Sequence, residues 1–242
     1  YVTTCIGITI FPADGDNTDT LLRKADSAMY KAKDKGANNF QFFTQKMDAE
    51  AHQRMRLEQA LRIAISNKEF AVHYQPVVDV VNNEVVYVEA LLRWTHESMG
   101  AISPAEFIPL AEELGLINQI GEFVLLESCQ QAMKWHKKSA GFPGVAVNLS
   151  SKQFINQTIV SNVQEVLKVT GLPVEKLTLE ITEGLLMQEE YSPLSQLVEL
   201  CELGIELSMD DFGTGYSSLS YLKRFPLTTL KIDRSFIIGL PE

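Results

Sequence analysis

From Glu69 onward, short apolar strand-like runs alternate with helix-length amphipathic segments, and this alternation limits the folds open to the chain. The strand-like runs are Phe70–Val78, Val85–Trp94, Val145–Leu149, Leu177–Thr182, Ile205–Met209 and Thr229–Phe236. Helical periodicity fills Pro104–Glu113, Gln119–His136, Ser151–Thr170 and Ser192–Leu203. Strands and helices in this order predict a parallel sheet or a β/α barrel. The segment after Trp94 is long enough for two helices.

The first part of the chain reads differently. Val2–Phe11 is a β-branched strand, Pro12–Asp16 a turn, and Leu21 to about Lys35 a helix capped by Asp19 or Thr20. Gly36 ends that helix, and Phe40–Phe43 is a short strand. Asp48–Asn67 is a further helix, with no Pro/Gly/Ser-rich linker before it. The expected organisation is therefore a small α+β piece over 1–47 and a larger β/α unit over 48–242.

The net charge of −10 argues against a nucleic-acid polymer as partner. Three widely spaced cysteines in apolar segments read as reduced core thiols in a cytoplasmic chain, and the four histidines show no metal-type pairing. No apolar run reaches membrane-spanning length.

The strand ends carry the chemistry. Gln75 lies in HYQP, where Pro76 interrupts the first strand. Glu89 and Arg93 lie in VEALLRW, and Asn148 closes GVAVNLS. Glu180 and Glu183 lie in LTLEITEG, Asp210 and Asp211 close the fifth run, and Lys231 and Asp233 lie in LKIDRSF. In β/α barrels, reacting groups sit at the C-terminal ends of strands. Any one of these could be a satisfied core polar group, and Asp-Asp-Phe-Gly alone could be a solvated turn. Oxygen donors recurring at successive strand ends point instead to a hard cation. Glu89, Asn148, Glu180, Asp210 and Asp211 lack any His or Cys, which favours Mg²⁺ or Mn²⁺ over zinc. Four carboxylates exceed the need of one Mg²⁺, so two metals per site are expected. Lys231 and Arg93 add charge suited to phosphate oxygens.

Two resemblances follow. IGITIFPADGDNTDTLLRKADSAMYKAKDKGANNF resembles the C-terminal end of a GGDEF domain, the diguanylate cyclase module. Lys33 matches a position that contacts nucleotide phosphate in that family, but Ala37 stands where it has an arginine, and the signature loop is absent. Lys33 is thus expected to be a solvated helix-end lysine, without cyclase activity in this chain.

HYQP, EALLRW, SPAEFIPLAEELGLI, NLS, LEITE, DDFGTGYSSLSYL and KIDRSFI, in that order, resemble an EAL domain, the cyclic di-GMP phosphodiesterase family. The resemblance implies a TIM-like (β/α) barrel whose first strand runs antiparallel to the rest. It implies hydrolysis of cyclic di-GMP to linear pGpG. Glu89, Asn148, Glu180 and Asp210 match the family's metal ligands, and Asp211 the neighbouring ligand of a second metal. Lys231 matches the lysine that positions and helps activate the attacking water. Gln75 and Arg93 match substrate contacts, with Asp233 grouped beside them. Glu183 matches the glutamate that anchors the Asp-Asp-Phe-Gly-Thr-Gly loop, which lies near the homodimer contact of the family.

The family's last two strands, with their catalytic glutamate and glutamine-glycine loop, have no counterpart here. The expectation is a piece of a longer GGDEF–EAL protein, impaired on its own, with any membrane anchor outside this segment. A cyclic di-GMP receptor that binds without cleaving stays open as the alternative.

Overall fold

The structure is a computed structural model, and it describes residues 3–36, 38–138, 141–186, 193–213 and 225–238. The chain divides into two compact units between Ile63 and Ala64.

In the first unit, strand β1 (Cys5–Ile8) and strand β2 (Asn39–Phe42) pair in parallel around helix α1 (Thr18–Asp34). The cap of α1 is Asn17, ahead of the expected Asp19 or Thr20. Its backbone is extended and its side-chain oxygen accepts the Thr20 amide at 2.9 Å, satisfying a donor the first turn leaves open. Helix α2 (Gln45–Ala64) follows at once, starting a little earlier than expected. Arg23 to Asp48 and Lys31 to Glu50, both at 2.7 Å, join α1 to α2.

The second unit is built on a seven-stranded sheet. Strand β3 (Phe70–Asp79) runs antiparallel to β4 (Glu84–His96), with Gln75 opposite Glu89. Strands β6 (Val145–Leu149), β7 (Leu177–Thr182), β8 (Glu206–Phe212) and β9 (Thr229–Ile232) continue from β4 in parallel order. The short strand β5 (Gly100–Ile102) pairs with the end of β4 and was not expected. Helices α3 (Pro104–Glu113) and α4 (Ile117–Lys138) fill the crossover after β5. Helix α5 (Ile159–Thr170) joins β6 to β7, and helices α6 (Glu183–Leu186) and α7 (Leu194–Glu202) lie between β7 and β8.

The sheet is strongly curled. Four strand-to-strand steps separate β4 from β9, about 19 Å in a flat sheet. Yet the Glu89 carboxylate of β4 and the Lys231 ammonium of β9 meet at 3.0 Å, which their two side chains could not do across a flat sheet of that width. This is a partial β/α barrel, as the strand pattern predicts, and of the TIM-like kind with an antiparallel first strand that the resemblance implies. Its central strands are covered on both faces: Val145, Ala146, Leu177, Leu179, Ile181, Leu207 and Met209 are all fully buried. Helix α4 turns Ile117, Ile120, Val124, Cys129 and Ala132 inward at helical spacing.

Some expected elements are shorter or divided. Ser151–Thr170 splits into a single 3₁₀ turn, Ser151–Phe154, and helix α5, with Gln157 left-handed between them. Strand β9 stops at Ile232 rather than Phe236, because Asp233 accepts the Ser235 amide and starts a 3₁₀ turn. Ser192, the expected start of the last helix, lies outside the described residues, as does Val2. Pro76 does not break β3. Among the described residues β3 pairs with β4 alone, so its other edge needs no amide donor there.

Candidate active site

Parallel register brings the strand ends level. Asn148 pairs with Glu180, Glu180 with Ser208, and Thr182 with Asp210. At Asp210 the ladder slips. Met209 faces Leu230 and Phe212 faces Ile232, so Asp210 and Asp211 together stand opposite Lys231. Such a bulge kinks the strand and re-aims its side chains. Asp211 takes a left-handed φ of 54° to make it, and its amide donates to Asp210 Oδ1 at 2.9 Å. Asp210 thereby turns inward, while Asp211 is exposed beside it.

Lys231 Nζ lies 2.7 Å from Glu180 Oε2, 3.0 Å from Glu89 Oε2 and 3.0 Å from Asp210 Oδ2. Three carboxylates from three strands thus share one ammonium. Asn148 Nδ2 donates to Glu89 Oε1 at 2.9 Å, so the amide nitrogen is spent on Glu89 and the amide oxygen is the atom suited to ligate a cation. Burial disfavours the charge of Lys231, but its bonds to Glu180, Asp210 and Glu89 outweigh this and hold it above the ordinary lysine value. Glu180 is fully buried, and burial pushes its carboxyl up to about 7 against the pull of Lys231. Burial and the neighbouring charge of Asp210 also raise Asp211.

These residues fit a hard divalent cation. Glu89, Glu180 and Asp210 each offer an oxygen within 4.8 Å of the others. Glu180 Oε1 is buried without a hydrogen-bond partner in the structure, which is costly unless a cation or donor meets it. The donors are oxygens throughout.

The remaining expected residues lie around this cluster. Glu183 opens α6, is buried, and accepts the Gly213 amide on Oε2 at 3.0 Å. It therefore holds the chain just after the Asp pair. The rest of that loop, from Thr214 through Tyr221, lies outside the described residues. Gln75 is exposed on β3 opposite Glu89. Arg93 is on β4, four residues beyond Glu89, and donates to the Leu92 carbonyl at 2.9 Å. Asp233 is half-buried and spends Oδ1 on the Ser235 amide. Tyr87 was not anticipated. It sits two residues before Glu89 on β4, where burial and then Glu180, Glu89 and Asp210 raise its phenol. Its spacing from Glu89, with both on one face of the strand, was the available signal.

Gly213 has φ +97°, and a Cβ there would run into the Phe236 ring. Gly213→Ala is expected to lower stability by about 1–2 kcal/mol from backbone conformation alone. It should also weaken divalent-cation binding, because the aspartates sit two and three residues upstream. Thermal melts and a Mn²⁺ titration check this, and a variant matching the parent in both would disprove it.

Residues 58–242 match the EAL domain family, and residues 1–39 match the diguanylate cyclase, GGDEF domain family. The chain belongs to the EAL domain family. It is 44% identical over 236 residues to the bifunctional diguanylate cyclase/cyclic di-GMP phosphodiesterase MucR of Pseudomonas aeruginosa, covering 98% of this chain and 34% of MucR. It is 38% identical over 237 residues to the cyclic di-GMP phosphodiesterase PdeR of Escherichia coli, covering 98% of this chain and 36% of PdeR. The chain thus spans about a third of the length of these curated relatives. Among solved structures, the PaMucR phosphodiesterase in complex with c-di-GMP superposes with a TM-score of 0.73 at 45% identity. That match covers 76% of this chain and 75% of the other. The FimX EAL domain of Xanthomonas citri in complex with c-diGMP superposes with a TM-score of 0.66 at 26% identity, covering 78% and 73%.

Proposed function

We propose that this chain carries a divalent-metal-dependent phosphodiesterase site that hydrolyses cyclic di-GMP to linear pGpG. The observation that carries the reading is the convergence on Lys231 of Glu89, Glu180 and Asp210 from three parallel strands of the barrel. The relatives named as cyclic di-GMP phosphodiesterases support the substrate.

Glu89, Asn148, Glu180 and Asp210 would hold the cation, with Asp211 placed for a second, and Mg²⁺ or Mn²⁺ suits this oxygen set. When bound, such cations polarise a phosphodiester and acidify water. The protein's own groups do the rest. Lys231 stays protonated at neutral pH and sits among the ligands, where it orients the attacking water and offsets charge growing on the phosphoryl oxygens. Arg93 is a planar donor suited to a phosphate oxygen. Gln75 and Asp233, at the rim, contact the substrate. Glu183 fixes the Asp-bearing segment through the Gly213 amide. Homodimerisation through the EAL domain and a cytoplasmic setting belong to the same reading. No helix among the described residues is long and apolar enough to cross a membrane.

The test is chromatography of pGpG after incubation with cyclic di-GMP and Mn²⁺ or Mg²⁺. It is run on the chain and on the longer GGDEF–EAL protein expected to carry it, each beside Glu89→Ala. Metal-dependent pGpG that Glu89→Ala abolishes is the expected result. Tight binding of the dinucleotide without cleavage by the longer protein would replace this reading with that of a receptor.

A further inference from the structure

One short contact outside the cluster reaches it from a helix. Ser150 Oγ donates to Glu112 Oε1 at 2.6 Å, a length typical of a hydroxyl bonded to a carboxylate. Glu112 lies in the last turn of α3, and Ser150 lies one residue beyond the end of β6, two after Asn148. The rest of Ser150 is also pinned. Its Oγ accepts the Lys152 amide at 3.1 Å, and its own amide donates to Gln153 Oε1 at 2.9 Å. Gln153 is buried and lies against Gly121 of α4 so closely that a Cβ on that glycine would overlap its Nε2. Both bonding roles of the Ser150 hydroxyl are thus filled, and Glu112 supplies the acceptor that fixes its rotamer.

We propose that Glu112 is a positioning residue for Asn148, acting through Ser150 to hold the end of β6 so that the Asn148 amide faces the carboxylate cluster. Asn148 is exposed and its side-chain amide bonds Glu89, so its aim depends on the backbone that carries it. The inference rests on the metal-centre reading above. Its consequence is that helix α3, which contributes nothing to the cluster itself, tunes cation affinity. Groups of this kind, one step behind a ligand, typically change metal affinity by about 10- to 100-fold when removed.

The experiment is a calorimetric Mn²⁺ titration of the chain, with thermal melts alongside, for Glu112→Ala, Glu112→Gln, Ser150→Ala and the Glu112→Ala/Ser150→Ala double variant. Both single alanine variants are expected to bind Mn²⁺ about tenfold more weakly. The double variant should be no weaker than either. Glu112→Gln keeps an oxygen to accept the hydroxyl and should stay close to the parent. A general packing defect would lower the melting temperature without this pattern. Parent-like affinity in Glu112→Ala or Ser150→Ala, or losses that add in the double variant, would overturn the proposal. Glu180→Gln is the control: if the parent binds no Mn²⁺, or Glu180→Gln binds it as the parent does, the metal-centre reading falls and takes this inference with it. If those controls hold and Glu112→Ala matches the parent, this inference alone fails.

Discussion

Lys231→Met is expected to destabilise the metal-free chain at pH 7.5, to tighten divalent-cation binding and to abolish turnover. The substitution keeps most of the stem and removes the ammonium. Glu89, Glu180 and Asp210 then lose the cation that lies within 2.7–3.0 Å of all three. Stranding a buried charge by removing its partner typically costs about 3–5 kcal/mol. Glu89 and Asp210 keep 16% and 24% exposure, and Glu180 can take up a proton, so roughly 2–3 kcal/mol is the better expectation. For a chain of this size that is a drop of about 5–10 °C in Tm.

Metal binding should move the other way. In the parent, a cation meets carboxylates whose charge Lys231 already balances. In the variant it meets them unbalanced, so millimolar Mn²⁺ should raise the variant's Tm more than the parent's. Turnover should be lost all the same, because the group that orients water and meets the phosphoryl charge is gone. Normal hydrolysis by Lys231→Met, or weaker Mn²⁺ binding, would show that the lysine is only a structural counterion.

Much of this arrangement was legible in the sequence. Glu89, Glu180 and Lys231 each interrupt an apolar strand-like run and Asp210 closes one, and strand polarity in a β/α fold sends such residues to one side of the barrel. The antiparallel first strand came from the resemblance, because periodicity carries no direction. The bulge that sets Asp210 and Asp211 opposite Lys231 was not legible, since it is a relation between two strands. The Glu112 contact was hidden for a similar reason. Glu112 has the spacing of an ordinary solvated helix residue, and its partner is 38 positions away. Strand β5 is three residues long, too short for any period to register. The break inside Ser151–Thr170 falls at Gln157, whose left-handed φ of 54° leaves helical space without changing the apolar spacing.

The pH dependence of stability should change sign when a divalent cation is added, and Glu180 is the reason. In the metal-free chain its carboxyl is fully buried, one oxygen lacks a partner, and burial raises it from 4.5 to about 7. Between those values the folded chain keeps a proton that the unfolded chain releases. Stability from this group therefore falls as pH rises from about 4.5 to about 7 and levels off above. The full difference is roughly 3 kcal/mol at most. Asp211, also raised, adds to the same slope from lower pH. Glu69, Asp79 and Asp233 are all lowered, so their contributions are lost only in more acidic solution. Lys231 is raised and stays charged across the window. With EDTA, Tm should thus decline from pH 5 to pH 7.5. With saturating Mn²⁺ the site needs Glu180 ionised, so protons compete with the metal and Tm should climb over the same range. Glu180→Gln should flatten the first slope and erase the second. A metal-free Tm that rises steadily from pH 5 to pH 7.5 would mean that Glu180 is ionised throughout. Lys231, rather than burial, would then govern its charge.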